Sequence, residues 1–215
     1  MGKFEKDKMN FLNKIYVWII NNYIKLILFF FTIALVYATY LYFYFVAQKK
    51  DQDAGDLFLN FYNSYSSSDF SEQEYKNTLD EISKLDDASI YLVMLKSIYA
   101  AQSVENSDLQ TALTELSNAR EILSKKGNDF NFLREIIDLR MVNIFIHLED
   151  LDRAKNIFKN TFSTYQTNKL ILQGDILAIE KKTDDAKQKY MEALQRSEND
   201  TQKNFINLKI SNLTE

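Results

Sequence analysis

From Leu26 to Val46 the chain reads LILFFFTIALVYATYLYFYFV, 21 residues without a formal charge. At about 1.5 Å per residue such a helix spans roughly 30 Å, the thickness of a bilayer's hydrocarbon core. A 215-residue chain has no soluble core large enough to bury so long an apolar run. The run therefore predicts one membrane-spanning helix over residues 24–47. Tyr16, Trp18 and Tyr23 precede it, and Tyr40, Tyr42 and Tyr44 sit in its last turns. Aromatic rings toward both ends suit the two membrane–water interfaces. Lys25 can snorkel from one end, while Lys49 and Lys50 mark the other. A cleaved signal peptide fits poorly. The run is longer than a signal's apolar region, and its exit, FYFVAQKKDQD, offers no small-x-small cleavage site.

Lysine placement orients the span. Lys3, Lys6, Lys8, Lys14 and Lys25 precede it, against Lys49 and Lys50 just after it. The excess puts residues 1–23 in the cytoplasm as a short tail, with residues 48–215 as the domain on the opposite side. Residues 1–50 hold seven lysines and two acids, a net of +5, and the remainder carries −9. So acidic a domain repels nucleic acid. Met1-Gly2 suggests lipidation, but Lys6 stands where the myristoylation pattern needs Ser or Thr. The apolar patch 11–20, FLNKIYVWII, reads as an extension of the spanning helix.

Beyond the span the fold class is all-α. There is no Pro or Cys and only four Gly, so breakers are scarce and disulfides and thiolate chemistry are absent. Apolar residues recur at helical spacing. Leu57, Phe58, Phe61, Tyr62 and Tyr65 mark one helix, ended by SSSD at 66–69, and Tyr75, Leu79, Ile82 and Leu85 mark the next. Further helices are predicted over 88–103, 108–123, 132–148, 151–162, 169–180 and 184–194. A last helix holds Phe205, Leu208 and Ile210, and KKGND at 125–129 is a turn.

The segment LILQGDILAIEKKTDDAKQKYMEAL carries a repeat signature. Gly174, Leu177, Ala186, Tyr190 and Ala193 fall at positions 8, 11, 20, 24 and 27 of a 34-residue tetratricopeptide unit. Small residues at 8 and 20 let paired helices approach, and large ones at 11 and 24 fill the space beside them. With Ala154 at position 20, Val142, Phe145, Phe158 and Thr161 take 8, 11, 24 and 27. With Ala112 at that position, Ala100, Leu116 and Ala119 fit 8, 24 and 27, while Ser103 is polar at 11. The three anchors lie 42 and 32 residues apart, and the KKGND turn with longer helices absorbs the first interval. Residues 51–85 form an irregular first pair, and the helix near 200–212 is a cap on the stack.

No residue set points to catalysis, a cofactor or a metal. One histidine, His147, cannot make a multi-histidine site, and its place near a helix end is accounted for by the helix dipole. No GxSxG elbow or glycine-rich phosphate loop occurs. The acid pairs Asp86-Asp87, Glu149-Asp150 and Asp184-Asp185 lie at predicted turns or helix starts, where acids cap free N–H groups or face water. The function that remains is binding. Stacked helix pairs curve into a concave surface. Its groove-facing positions 2, 5 and 9 are Met94, Ser97 and Ala101, then Ile136, Leu139 and Asn143, then Asn168, Ile171 and Asp175. The protein-binding residues expected there are Met94, Ser97, Leu139, Asn143, Ile171 and Asp175.

The segment ILQGDILAIEKKTDDAKQKYMEAL and the closing LKISNLTE resemble the YfgM-like ancillary subunits of the bacterial SecYEG translocon. Gly174, Asp184, Ala186 and Ala193 match that family's last repeat, and Lys209, Ile210, Asn212 and Leu213 its closing motif. The lysine-bearing tail and single span are similar too. The tail departs in having fewer acids and an extra apolar patch, and the middle is poorer in Ala. The resemblance implies a bacterial inner-membrane protein with a periplasmic tetratricopeptide-like domain and no enzymatic activity. It implies association with SecYEG and with a PpiD-like membrane-anchored periplasmic chaperone, assisting release or folding of exported proteins. The alternative is a structural adaptor in another bacterial envelope complex, without client binding.

Overall fold

The computed structural model describes residues 3–67, 70–86, 89–159 and 164–213, with side chains from residue 11 onward apart from that of residue 12. Among the described residues every regular element is an α-helix. In chain order these are α1 (Lys3–Ser66), α2 (Glu72–Leu85), α3 (Ile90–Glu105), α4 (Leu109–Ser124) and α5 (Asn131–His147). They continue with α6 (Leu151–Ile157), α7 (Gln166–Ile179), α8 (Thr183–Arg196) and α9 (Asp200–Asn212). The expectations that fall on Gly2, Ser68, Asp69, Asp87, Ala88, Thr161 and Phe162, or on the side chains of Lys3, Lys6 and Lys8, lie outside the described residues.

The chain divides into two compact units, Met1–Gln52 and Asp53–Glu215. In the first unit α1 runs through residues 11–20 unbroken, as the apolar patch there predicts. The segment is long and apolar enough to cross a membrane, and its side chains lie outside any protein core. Its few polar side chains bond to their own helix. Thr32 and Thr39 donate to the Leu28 and Leu35 carbonyls, each at 2.8 Å, and Asn22 donates to that of Trp18 at 2.9 Å. A helix that satisfies its polar groups internally is a form hydrocarbon tolerates.

In the second unit, α3 with α4, α5 with α6 and α7 with α8 form successive helix hairpins, and α9 packs on α8. All three hairpins turn alike. Ser107, Glu149 and Lys181 have positive φ, and the next residue's N–H bonds five residues back: Asp108 to Ser103, Asp150 to Phe145, Lys182 to Leu177. These left-handed caps satisfy the last carbonyls of the first helix of each pair. They recur at the 42- and 32-residue intervals of Ala112, Ala154 and Ala186, so backbone and side-chain registers agree. The three alanines are wholly buried, as are Ala119 and Ala193. Ser103, the polar misfit, is buried with its hydroxyl donating to the Tyr99 carbonyl at 2.9 Å.

The start of the stack is an aromatic cluster. Phe58 and Phe61 of α1 are buried, and Phe61 packs near Phe70 and Tyr75. Tyr75 stacks on Tyr99 with ring centroids 3.9 Å apart. Two boundaries of the predicted helices after residue 88 differ from the sequence reading by three residues or more. The helix from Leu151 ends at Ile157 rather than 162, because Lys159 N–H bonds the Asn156 carbonyl three residues back and tightens the chain into a turn. The next helix starts at Gln166 rather than 169. Glu135 of α5, buried, accepts from the N–H groups of Thr164 and Tyr165 at 2.9 and 3.0 Å. A side chain 30 residues away thus supplies the cap that the local sequence lacks.

Two similar polar triads tie the hairpins. Tyr75 donates to Glu115 at 2.8 Å, and Lys96 donates to the same carboxylate oxygen at 2.9 Å, joining α2, α3 and α4. Tyr190 and Lys209 both donate to one Asp175 oxygen, at 2.6 and 2.7 Å, joining α7, α8 and α9. Burial, and then the carboxylate partner, push both tyrosine hydroxyls above their ordinary range. A group whose pKa is raised by folding stabilises the fold while it is protonated. Its contribution is whole below the unfolded tyrosine value, about 10, and is lost as pH climbs from there through the folded value. Melts of the detergent-solubilised chain are therefore expected to lose stability above pH ~10 more steeply than those of a Tyr75→Phe/Tyr190→Phe variant. Equal slopes would show that the two hydroxyls contribute nothing.

Candidate protein-binding groove

Residues of six helices, α1, α3, α4, α5, α7 and α9, line a run of three cavities in the second unit. The first, about 500 Å³, lies between the end of α1 and α3, with Phe58, Tyr62, Met94, Ser97 and Ala101 on its walls. The second, about 370 Å³, shares Ala101 and Arg140 with the first and adds Val104, Leu116 and Ile144. The third, about 260 Å³, shares Asn143 with the second and is lined by Leu139, Ile171, Asp175, Phe205 and Lys209. The shared residues make the first two one open groove, while the third meets the cap helix.

Met94 and Ser97 line the first cavity. Met94 is 40 % exposed, and the Ser97 hydroxyl is turned back to the Val93 carbonyl at 2.7 Å. Asn143 is exposed at the junction of the second and third cavities. The other three residues line the third cavity without being free contact surface. Leu139 and Ile171 are only 7 % and 6 % exposed and belong to the hydrophobic core, so they form a cavity floor. The α5 and α7 helices are packed against each other there, and α9 covers what the bare repeat would expose. Asp175 is occupied by Tyr190 and Lys209. Its carboxylate holds three helices together and is not spare for a partner.

Sequence reasoning missed the α1 wall. Leu59 and Tyr62 are 54 % and 47 % exposed and, with Phe58 and Tyr65, line the widest part of the groove. They lie outside any repeat match, so the template could not assign them. Two further large apolar residues three apart on a helix already carrying Phe58 and Phe61 for the core were the available signal. Arg140 was missed as well, since it lies one position beyond Leu139 on the template.

Among the described residues no group of three or more His, Asp or Glu side chains is arranged to hold a metal. The first pKa-perturbed groups, Tyr75 and Tyr190, have partners that explain them structurally. Nor are the other acids with lowered values poised for reaction. The Asp108 and Asp150 carboxylates are drawn below the usual range mainly by bonds to Thr111 and Arg153, whose N–H groups they cap. Lys155, then Lys182, lower Glu180 at the exposed end of α7.

Stacked helix hairpins with an open apolar groove define a helical-repeat scaffold for protein–protein interaction, a class that is typically non-enzymatic. The chain belongs to the tetratricopeptide repeat-like domain family, whose model matches residues 17–215. No curated protein and no solved structure matches the chain.

Proposed function

We propose that this protein is a membrane-anchored accessory subunit that binds other proteins through its groove, beside the bacterial protein-export channel. The observation that carries the binding role is the open apolar groove between α1, α3 and α5, where Leu59, Tyr62 and Met94 stay exposed in a folded domain. Exposed large apolar residues gathered in one groove mark an interaction site. In this reading residues 1–23 face the cytoplasm, 24–47 cross the inner membrane, and 48–215 form the periplasmic domain. The uncharged run and the lysine excess before it support that topology. The C-terminal resemblance to translocon ancillary subunits supports SecYEG and a PpiD-like chaperone as partners, with exported proteins as clients. Tethering to a shared membrane raises effective concentration, so a groove of modest affinity suffices.

The test is native co-purification of the full chain in mild detergent, with mass spectrometry of what accompanies it. Channel subunits and a membrane-anchored chaperone are expected with the parent protein. Their yield should fall several-fold with a Tyr62→Asp/Met94→Asp variant, which puts charge into the apolar groove. Recovery of cell-wall or division components instead would make the protein an adaptor in another envelope complex. Undiminished capture by the folded variant would reject the groove.

A further inference from the structure

Arg140 of α5 stands where the first two cavities meet and lines both. It is exposed, and its Nη1 donates to the Ser97 carbonyl at 3.3 Å, a long bond to a neutral acceptor. A guanidinium has five N–H donors, so most of its capacity is unused. The setting makes this unusual. Residues 51–215 carry a net −9, and neighbouring cations are matched with acids: Lys96 with Glu115, Arg120 with Asp138, Lys209 with Asp175. Among the described residues Arg140 forms no such ion pair, although Glu105 lines the same groove. On either side of it the walls are apolar, with Tyr62 and Met94 on one side and Val104 and Ile144 on the other.

We propose that the groove takes a segment of a partner protein in which one carboxylate side chain is flanked on both sides by large apolar side chains. The carboxylate pairs with the Arg140 guanidinium, and the apolar side chains fill the cavities of about 500 and 370 Å³ beside it. Guanidinium and carboxylate match as a two-bond fork, and the low-polarity walls strengthen that pair relative to open water. Charge complementarity selects the occupant: a purely apolar segment leaves Arg140 unpaired when covered, and a basic one is repelled by it. A second copy of this chain is disfavoured, because it would bring one acidic domain against another. This inference rests on the groove being the binding site proposed above.

The experiment pans a phage-displayed library of random 12-residue peptides on the full chain held in lipid nanodiscs. Enriched peptides are expected to carry Asp or Glu between Leu, Ile, Met or Phe residues. The same library panned on Arg140→Glu should enrich Lys or Arg at that place. A synthetic peptide of the enriched sequence should bind Arg140→Glu at least about tenfold more weakly than the parent, with melting unchanged because Arg140 lies on the surface. Replacing the peptide's acid by its amide should cost a similar factor in the parent and nothing in Arg140→Glu. Peptides that lose binding to Met94→Asp but not to Arg140→Glu would leave the groove standing and overturn the carboxylate pairing. Peptides indifferent to both, or no enrichment at all, would overturn the groove as well. A chain that sediments as a dimer, and as a monomer only once Arg140 is changed to Glu, would assign the groove to a second copy and overturn the proposal.

Discussion

Gly174→Ala is expected to destabilise the protein by about 2 kcal/mol, lowering the melting temperature by roughly 4–8 °C. The usual direction is the reverse, since alanine in a helix interior is favoured over glycine by about 1 kcal/mol. Tyr190 decides the sign. A Cβ built on Gly174 would lie 2.4, 2.6 and 2.9 Å from three atoms of the tyrosine ring. Real Cβ atoms do not approach that closely, so the ring must move. It is buried, and its hydroxyl is held by Asp175 at 2.6 Å, so moving it loosens the tie to α9 as well. Gly174→Val adds two more methyl groups to the same collision and should cost more than about 3 kcal/mol. Circular-dichroism melts of the full chain in mild detergent provide the measurement. In a Tyr190→Leu background the collision is relieved and Gly174→Ala should be nearly neutral. A higher melting temperature for Gly174→Ala alone would mean that α7 and α8 do not meet at this contact.

Loss of the Glu115 carboxylate should cost about 3 kcal/mol. The Lys96 and Glu115 side chains are only 11 % and 14 % exposed, so water screens the pair weakly. Glu115→Ala strands the Lys96 ammonium and the Tyr75 hydroxyl together, and an uncompensated buried charge costs more than the intact pair contributes. Glu115→Gln keeps an acceptor for Tyr75 and should fall between. Replacing both charged partners, as Lys96→Met/Glu115→Leu, should recover most of the loss, because apolar groups need no counter-charge. Denaturant titration of the four proteins would separate these cases. A Glu115→Ala midpoint matching the parent would mean that water reaches the triad and the ion pair is ordinary surface charge.

Such pairs show where sequence reading stops. Glu115 and Lys96 lie 19 residues apart and Tyr75 40 residues before Glu115, and no local pattern marks them as one group. The repeat register, in contrast, was legible. Ala112, Ala154 and Ala186 are identifiable because helix crossings exclude Cβ branches, and the structure places each in the core under an identical turn. The turns themselves were hidden, since Ser107, Glu149 and Lys181 adopt positive φ without being glycine. The groove was half legible. Met94 and Ser97 follow from the repeat template, but Leu139 and Ile171 are buried where neighbouring helices and α9 close over them. A repeat template describes an average unit, whereas the last units of a short stack are covered by their cap.

The sequence by itself determined the helical class, the single long apolar segment and the three-fold repeat. Each is a local or periodic property: an uncharged run, a 3.6-residue spacing, a small residue wherever backbones meet. Tertiary structure alone decided which walls stay open. It brought the end of α1 beside α3 to make the groove, left Arg140 bonded to the Ser97 carbonyl with no carboxylate partner among the described residues, and spent Asp175 on Tyr190 and Lys209. It also let Glu135 cap α7 across 30 residues. The physical reason is common to all four. Whether a polar or apolar side chain is spare depends on what chain folds against it, and that neighbour is set by packing rather than by spacing along the sequence.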